Sequence, residues 1–550
     1  MNSPYPELIL VNGNIHTMDA RQPQVEALAV ALGRIIAIGS SAAVRALAGP
    51  ETRVLDAKGQ LVLPGFNDAH VHFIDGGFQL ANVDLRGATS PEDFVRRLEA
   101  YVDARKAGGA VANAWITGGE WDHESWAGAP LPDREWIDAI TPDIPVFVKR
   151  LDGHMALANS RALTLAGIGP ETVAPPGGAI ERDSSGRRIT GLLKDTAMDL
   201  VSTKIPATTR AQRLHAAQAA TDYAATLGVT SVQDVLAGSD VAIYSELQER
   251  GLLKTRVYAV WPMPKAEALL TTGLRAGFGS PMVRVGALKS FSDGSLGSGT
   301  AWFFEPYADQ PGNVGLPGGE MFPDGALAER VRTADRAGLQ VLIHAIGDRA
   351  NHEVLSIFEA AIRANGPRDR RFRIEHAQHL RPGDIARFAE SGIVASVQPY
   401  HAADDGRWAG KRIGPERCRM TYAFRSLLNA GVRLAFGSDW TVAPLNPLTG
   451  IETAVTRQTL DGAHPQGWNP EQKLSVQEAV EGYTIGSAFA EFQEHEKGSL
   501  TPGKLADLVV LERDIFRIPP EEIGATHVAL TMVGGSIVFE SKGISTGRTQ

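Results

Sequence analysis

Two histidines separated by one residue, His70 and His72, follow an apolar run that is broken by Pro64 and Gly65. Residues i and i+2 of an extended segment share a face, so the two imidazoles should point to the same place. Imidazole nitrogen is a common ligand of zinc, iron, nickel and similar divalent metals. A His-x-His pair is a weak signal by itself, so a metal site requires further ligands elsewhere in the chain.

Further side chains able to bind a cation recur at the ends of later apolar runs, namely His344, His376 and Asp439. Lys289 ends another run, although an ammonium group cannot bind a cation. Lysine becomes a ligand only as a carbamate, whose two oxygens can bridge two metals. Lys194 is a second candidate, but the residues after it resemble the start of a helix outside the core, so Lys289 is favoured.

The elements that must position these residues are eight strand-like runs, separated in several places by helical stretches such as 210–226 and 326–337. Eight βα steps predict a parallel barrel, whose active site lies at the C-terminal ends of its strands. The predicted strands are residues 61–66, 229–234, 255–261, 283–291, 339–344, 372–376, 393–398 and 432–437.

Both ends of the chain contain short β-rich runs separated by turn signals such as Asn12-Gly13 and Gly534-Gly535. This pattern predicts a small β-sandwich domain formed by residues 1–60 and 498–550, with the barrel domain spanning 61–497. An insertion at residues 75–205 follows the first predicted strand. A connection of that length normally has its own structure, which we interpret as a lid or substrate subdomain.

The composition restricts the class of protein. The 550 residues have a formal net charge of −9 and no basic run, which excludes nucleic acid as the expected partner. Cys418 is the only cysteine, so disulfides within the chain and thiolate metal clusters are excluded. No apolar run is long enough to span a membrane, and the first residues lack a secretory signal. A cytoplasmic protein is expected.

Six segments of the chain resemble motifs of the metal-dependent amidohydrolase superfamily and occur in the order expected for it. The resemblance is strongest to the branch of N-substituted formamide deformylases and D-aminoacylase-like proteins. The resemblance implies an α/β fold, in which a distorted (β/α)₈ barrel of the TIM type accompanies a β-sandwich built from both termini. The segments are residues 64–72, 289–298, 343–348, 373–378, 437–439 and 498–509. The residues that would form its metal centre are His70, His72, Lys289, His344, His376 and Asp439.

The resemblance also implies a reaction. A metal-bound hydroxide would cleave a linear C–N amide bond in a small molecule, an N-substituted formamide or an N-acyl amine. Zn²⁺ is the expected metal, with one or two ions and, for two, an N6-carboxylysine at Lys289 between them. His70, His72 and Asp439 would hold the first ion, and His344 and His376 the second. Asp439 would act as general base and then as general acid.

Alternatives to this function stay open. The same site suits hydrolysis of a cyclic amide or carbamate, and deamination of a ring C–N bond. A barrel that has lost catalysis and only binds a ligand is an alternative of another class, against which the complete ligand set with Asp439 argues. The assembly state, including a homodimer, is also left open.

The insertion contributes one further catalytic candidate. His154 follows a strand-like run and an Asp-Gly turn, and we expect it to hydrogen-bond the substrate carbonyl. The tryptophans of the same region have two interpretations, a lid over an apolar amide substituent or the core of the insertion itself. They are Trp121, Trp126 and Trp136.

Several polar residues adjoin the predicted ligands. Asp68 and Asp293 either support a neighbouring site residue or stabilise a turn. Glu375 should point away from the site and form a structural ion pair. His379 is expected in a solvated loop, and His401 is a candidate for contact with the substrate.

Overall fold

Eight parallel strands form the centre of the computed structural model, which describes residues 5–107 and 115–541. Neighbouring strands pair in chain order, and a parallel bridge between Val71 and Trp440 joins the end of the first strand to the residues after the eighth. The predicted distorted (β/α)₈ barrel is therefore confirmed. The strands are β1 (Phe66–Val71), β2 (Val229–Asp234), β3 (Arg256–Pro262), β4 (Val283–Phe291), β5 (Gln340–Ala345), β6 (Arg373–His376), β7 (Val394–Val397) and β8 (Leu434–Phe436).

Helices cover the outside of the barrel. The helix Arg210–Thr226, at the predicted bounds, begins with a capping box in which Thr209 and Gln212 exchange hydrogen bonds. Its buried face consists largely of alanines, which permits close packing. The other helices between or after the strands are Val241–Glu249, Ala266–Thr272, Ala326–Arg336, Asp348–Asn365, Pro382–Glu390, Pro399–Asp405, Ala409–Ile413, Pro415–Cys418, Phe424–Asn429, Pro447–Thr456, Val476–Glu481 and Ser487–Ala490.

The prediction for the first barrel strand was wrong. Leu61–Pro64 pairs with Asn14–His16 and Leu508–Leu511 in a terminal sheet, and the barrel strand begins only at Phe66. Both runs are apolar and buried, so their sequences do not show which sheet each joins. Gly65 separates the two strands. A side chain at this position would place its Cβ atom 2.2 Å from Cγ2 of Thr230. As a result His70 lies within β1 and His72 directly after it.

Two further sheets are built from the ends of the chain, and residues of both pack into one apolar core. Arg256 of β3 joins them to the barrel through a buried ion pair with Asp507 at 2.7 Å. One sheet contains Leu8–Val11, Ala27–Ala31, Arg34–Gly39 and Arg53–Asp56. The other contains Asn14–His16, Gln24–Val25, Leu61–Pro64, Leu508–Leu511, Val528–Val533 and Ser536–Glu540.

The residues between β1 and β2 form a separate six-stranded sheet with its own core. Trp121 and Trp126 are buried there and Trp136 packs against them, so the tryptophans are core residues and not a lid. The strands are Val83–Asp84, Gly118–Trp121, Phe147–Arg150, Met155–Ala158, Gly178–Arg182 and Ile189–Asp195. The helices of this region include Phe73–Gln79, Pro91–Ala107, Glu135–Asp138, Ser160–Ala166 and Asp199–Ser202. Among the described residues, no helix is both long and apolar enough to cross a membrane.

Candidate active site

A cavity of about 340 Å³ lies at the C-terminal ends of the barrel strands, and we call it the reaction cavity. This position is where barrels of parallel strands carry their active sites. Its walls include every residue predicted for the metal centre and for catalysis. They are His70, His72, His154, Lys289, His344, His376 and Asp439.

Asp439 is the centre of the polar cluster on the barrel side of this cavity. Its Oδ1 atom lies 3.4 Å from Nε2 of His70 and 3.4 Å from Nε2 of His72. Oδ1 is buried and has no hydrogen-bond partner among the described residues. His376 and His401 also approach Asp439, with ligand-type atoms within 4.8 Å of one another. An unpaired carboxylate oxygen among imidazole nitrogens is a donor set that fits a divalent cation such as zinc.

Glu375 supports His70, contrary to the expectation that it points away from the site. Its carboxylate accepts a hydrogen bond from Nδ1 of His70 at 2.6 Å and one from Nε of Arg373 at 2.8 Å. Burial raises the pKa of Glu375, but Arg373 and then His70 lower it to about 2. The predicted ion pair is present, and it orients an imidazole. A proton on Nδ1 leaves the Nε2 lone pair free for a metal.

Burial and the nearby Lys289 lower the pKa of His70 to about 4, so this imidazole is neutral at pH 7 and able to act as a ligand. His376 is oriented in the same manner, since its Nδ1 lies 2.7 Å from Oε1 of Gln398, the residue after β7. Sequence reasoning missed Gln398, although its place at a strand end was a usable signal. The histidine–carbonyl bond is the neutral counterpart of the His70–Glu375 bond.

Two of the site residues have unusual backbone conformations. His376 has φ of 72° and Asp439 has φ of 58°, in the left-handed region that non-glycine residues rarely occupy. The Asp439 amide donates to the carbonyl of His70 at 2.7 Å, and Asp68 accepts from the backbone amides of His70 and Ser438. Asp68 thus holds two backbones together and makes no bond to a ligand imidazole. Such strain persists only where surrounding contacts enforce it, and it is common at active sites.

Lys289 extends from β4 into the reaction cavity and is 1% exposed. Burial lowers its pKa to about 8. Its ammonium lies 4.8 Å from the centre of the Phe291 ring, and it forms no hydrogen bond or ion pair with any described residue. Lys194, the alternative, pairs with Glu181 at 2.6 Å in the sheet of the insertion. Lys194 lies in the strand Ile189–Asp195, and helical structure begins directly after it at Thr196, as predicted.

His344 is the predicted ligand that the structure places least favourably. Its ring lies 4.5 Å from that of His376, but its Nε2 faces the carbonyl oxygen of Gly294 at 3.0 Å and Oδ1 of Asp293 at 3.5 Å. Asp293 itself accepts from the backbone amides of Ile346 and Gly347, so it organises this loop as well as facing His344. The structure groups His401, and not His344, with His376 and Asp439.

His154 reaches the reaction cavity from the insertion, as its proposed contact with the substrate requires. It lies after the strand Phe147–Arg150, with its ring centre 5.7 Å from that of His344. Its Nδ1 donates to Oδ1 of Asp195 at 2.7 Å. Burial opposes protonation, yet Asp195 raises the pKa of His154 above its usual value. No sequence signal identified Asp195, because it approaches His154 only through the pairing of insertion strands.

His379 does not lie in a solvated loop. It is 2% exposed, and its Nδ1 lies 2.8 Å from Oγ1 of Thr421. The prediction was wrong because the residues that follow β6 leave the strand but stay buried. His379 is therefore a buried structural residue, whereas His401 lines the reaction cavity.

A buried polar network that the sequence did not predict connects the insertion to the barrel. Arg150 pairs with Asp122 at 2.7 Å and with Asp152 at 2.6 Å. Asp152 also accepts hydrogen bonds from Ser295 and Ser298 of the segment that follows β4. The network positions the wall that carries His154.

The profile of the amidohydrolase family Amidohydro_3 matches residues 53–539 of the chain. The chain therefore belongs to the amidohydrolase family, which confirms the resemblance drawn from its motifs and the expectation of an amidohydrolase enzyme. The fold and the position of the polar cluster agree with this assignment.

Individual relatives are similar to the chain along nearly its whole length. Protein LONG AFTER FAR-RED 3 of Arabidopsis thaliana is 41% identical over 548 residues, covering 97% of this chain and 91% of that protein. N-substituted formamide deformylase of Arthrobacter pascens is 30% identical over 557 residues, covering 98% and 99%. An uncharacterized metal-dependent hydrolase from Pyrococcus horikoshii OT3 has a similar structure, with a TM-score of 0.75, 28% identity and coverage of 93% of this chain and 99% of the other.

Proposed function

We propose that this amidohydrolase cleaves a linear C–N amide bond in an N-substituted formamide or an N-acyl amine. The observation that carries the proposal is the unpaired, buried Oδ1 of Asp439 between two imidazoles, in a cavity that His154 also lines. The similarity to N-substituted formamide deformylase of Arthrobacter pascens along almost the whole chain favours this bond type over a cyclic amide.

The residues that would hold a divalent cation are His70, His72 and Asp439, and we propose Zn²⁺ because the donors are nitrogen and carboxylate oxygen. A cation there supplies a water of lowered pKa and positive charge that polarises the scissile carbonyl. His376 and His401 with Asp439, or His376 with the adjacent His344, would hold a second ion.

Lys289 is the proposed carbamate. Its amine must be neutral to react with carbon dioxide, and burial that lowers its pKa to about 8 increases the neutral fraction. No described residue forms a hydrogen bond or an ion pair with it, although the nearby carboxylates of Glu375 and Asp439 oppose the effect of burial on its pKa. The product N6-carboxylysine would add two oxygens to the cluster.

Two residues of the chain would handle protons and charge. Asp439 would accept a proton from the attacking water and deliver it to the leaving nitrogen, as general base and then general acid. Asp195 holds Nδ1 of His154 and raises the pKa of this imidazole, so protonated His154 would donate from Nε2 to the carbonyl oxygen as it becomes negative. The two residues face the same cavity from opposite elements, so one substrate can contact both.

The test is a substrate panel with metal content measured on the same preparation. The panel contains N-alkyl formamides, N-acyl amines, cyclic amides, carbamates and aminated heterocycles. We expect release of an acid and an amine from the linear amides. Ammonia from the heterocycles would instead establish a deaminase, and a metal-loaded protein inactive on every member would support the binding-only alternative.

A further inference from the structure

A second cavity, of about 370 Å³, lies next to the reaction cavity, and we call it the side cavity. Four residues line both cavities, Lys149, Gly153, His154 and Phe291. The side chains of His154 and Phe291 thus stand between the place of the scissile bond and the side cavity. A substrate held by His154 has one substituent directed towards this space.

Part of the wall of the side cavity suits an apolar group. Phe147 and Met198 of the insertion are buried, while Pro317 and the 38% exposed Leu316 line the same cavity from the segment after β4. Towards the surface the lining becomes polar and exposed at Asp199. The side cavity therefore has an apolar part beside polar lining residues, and it is open to solvent at its outer end.

Asp195 provides a polar contact at the inner end. Its Oδ1 accepts the hydrogen bond from His154, while its Oδ2 is buried with no partner among the described residues. Its φ of 47° lies in the left-handed region, and its backbone amide donates to the carbonyl of His154 at 3.1 Å. A buried carboxylate oxygen without a donor is costly, so Oδ2 is available to accept a hydrogen bond from a ligand in the side cavity.

We infer that the side cavity is the subsite for the nitrogen substituent of the substrate and for the amine that leaves. This inference rests on the proposed function and specifies its substrate class, amides with a linear apolar group on nitrogen. Asp195, Asp199 and Asp293 line the side cavity. The three carboxylates outnumber the single lysine of the lining, Lys149, so the side cavity favours a departing ammonium over a carboxylate product, which places the amine and not the acyl group here.

Two glycines of the segment after β4 allow a matched test. A Cβ atom at Gly319, which lines the side cavity, would have no atom within 4 Å, and its backbone is not in the left-handed region. Gly312 is equally open and exposed but lines neither cavity. Gly319→Trp should therefore place a bulky side chain at the side cavity without a clash at Cβ, and Gly312→Trp is its control.

The first measurement is calorimetric binding of linear alkylamines from methylamine to octylamine, with the corresponding carboxylic acids as the comparison series. Wild type and Gly312→Trp should bind longer amines progressively tighter, by about fourfold for each added methylene. Gly319→Trp should lose this dependence on length. Equal affinity for all amines, no effect of Gly319→Trp, or the length dependence in the acids alone would overturn the inference.

The second measurement is turnover of N-alkyl formamides and of N-methyl acylamides with increasing acyl length. Gly319→Trp should lower kcat/KM of the octyl formamide at least tenfold and that of the methyl formamide less than twofold. A loss confined to the long acyl chains would overturn the assignment to the amine. Absence of hydrolysis in both series would contradict the proposed function, while the amine binding still decides the subsite.

Discussion

The reaction cavity has a barrel side and an insertion side that are built in different ways. On the barrel side, His70 and His376 extend from parallel strands and are oriented by the buried Glu375 and Gln398. On the insertion side, His154 extends from the connection between two antiparallel strands and is 20% exposed. Groups that perform chemistry need fixed geometry, and groups that select substrates sit on more variable elements.

The contacts between the two sides support this division. The Arg150–Asp152 pair is nearly buried and binds the segment after β4 through Ser295. The insertion is thus attached to the barrel beside His154 by polar contacts, whereas the cluster around Asp439 depends on the barrel alone. Variants on the barrel side should lower metal content and kcat together. Variants on the insertion side should lower kcat/KM for the substrate and leave metal content unchanged.

Asp439→Asn should have the largest effect. It keeps the shape of the side chain but removes the base and the anionic oxygen among the imidazoles, so kcat should fall by about a thousandfold or more. Steady-state kinetics and circular dichroism check the loss and the retained fold. Asp461→Asn, in an exposed loop, is the control. Retention of a tenth or more of kcat would show that the role of Asp439 is wrong.

Lys289→Ala should lower both metal stoichiometry and activity, about a hundredfold in kcat, because the carbamate oxygens disappear. Added acetate or propionate should restore part of both. Lys194→Ala is the matched control, since Lys194 pairs with Glu181 away from the cluster. Full metal content in Lys289→Ala, or an equal loss in Lys194→Ala, would contradict the carbamate.

Glu375→Gln tests the support of His70. The amide keeps the size of the side chain but holds the imidazole less strongly, so metal affinity should fall by about 10- to 100-fold. Competition with a chelator measures this affinity, and excess metal should recover most of kcat. Unchanged affinity would mean that Glu375 serves only as the partner of Arg373.

His154→Ala should have the smallest effect on the metal centre. It should reduce kcat/KM by about a hundredfold with metal content unchanged, because the lost hydrogen bond goes to the substrate. His495→Ala, at a side chain that is 90% exposed, is the control. Loss of metal in His154→Ala would assign His154 to the metal centre and abolish the distinction between the two sides.

The sequence predicted much of the barrel because strand-like runs and helical periodicity are local properties. The bounds of β2 and β4 agree with those predicted. Residues 61–66 were misassigned because a buried strand of a terminal sheet and a barrel strand have the same apolar composition. Only the pairing of Leu61–Pro64 with strands from both ends of the chain separates them.

In the candidate site, too, local sequence patterns were predictable and contacts between distant residues were not. Ligand-type residues at strand ends were visible in the sequence because a barrel gathers its strand ends in one place. The sequence did not show that Glu375 faces His70, since a twisted strand with left-handed φ at His376 departs from simple alternation.

The sequence by itself determined the family, the barrel and the residue types of the reaction cavity, since these depend on motifs and on local hydrophobic periodicity. The tertiary structure alone decided the partners of those residues. Asp195 lies 41 residues from His154, and Glu375 lies 305 residues from His70. Contacts over such separations depend on how whole sheets pack, and no local pattern records them.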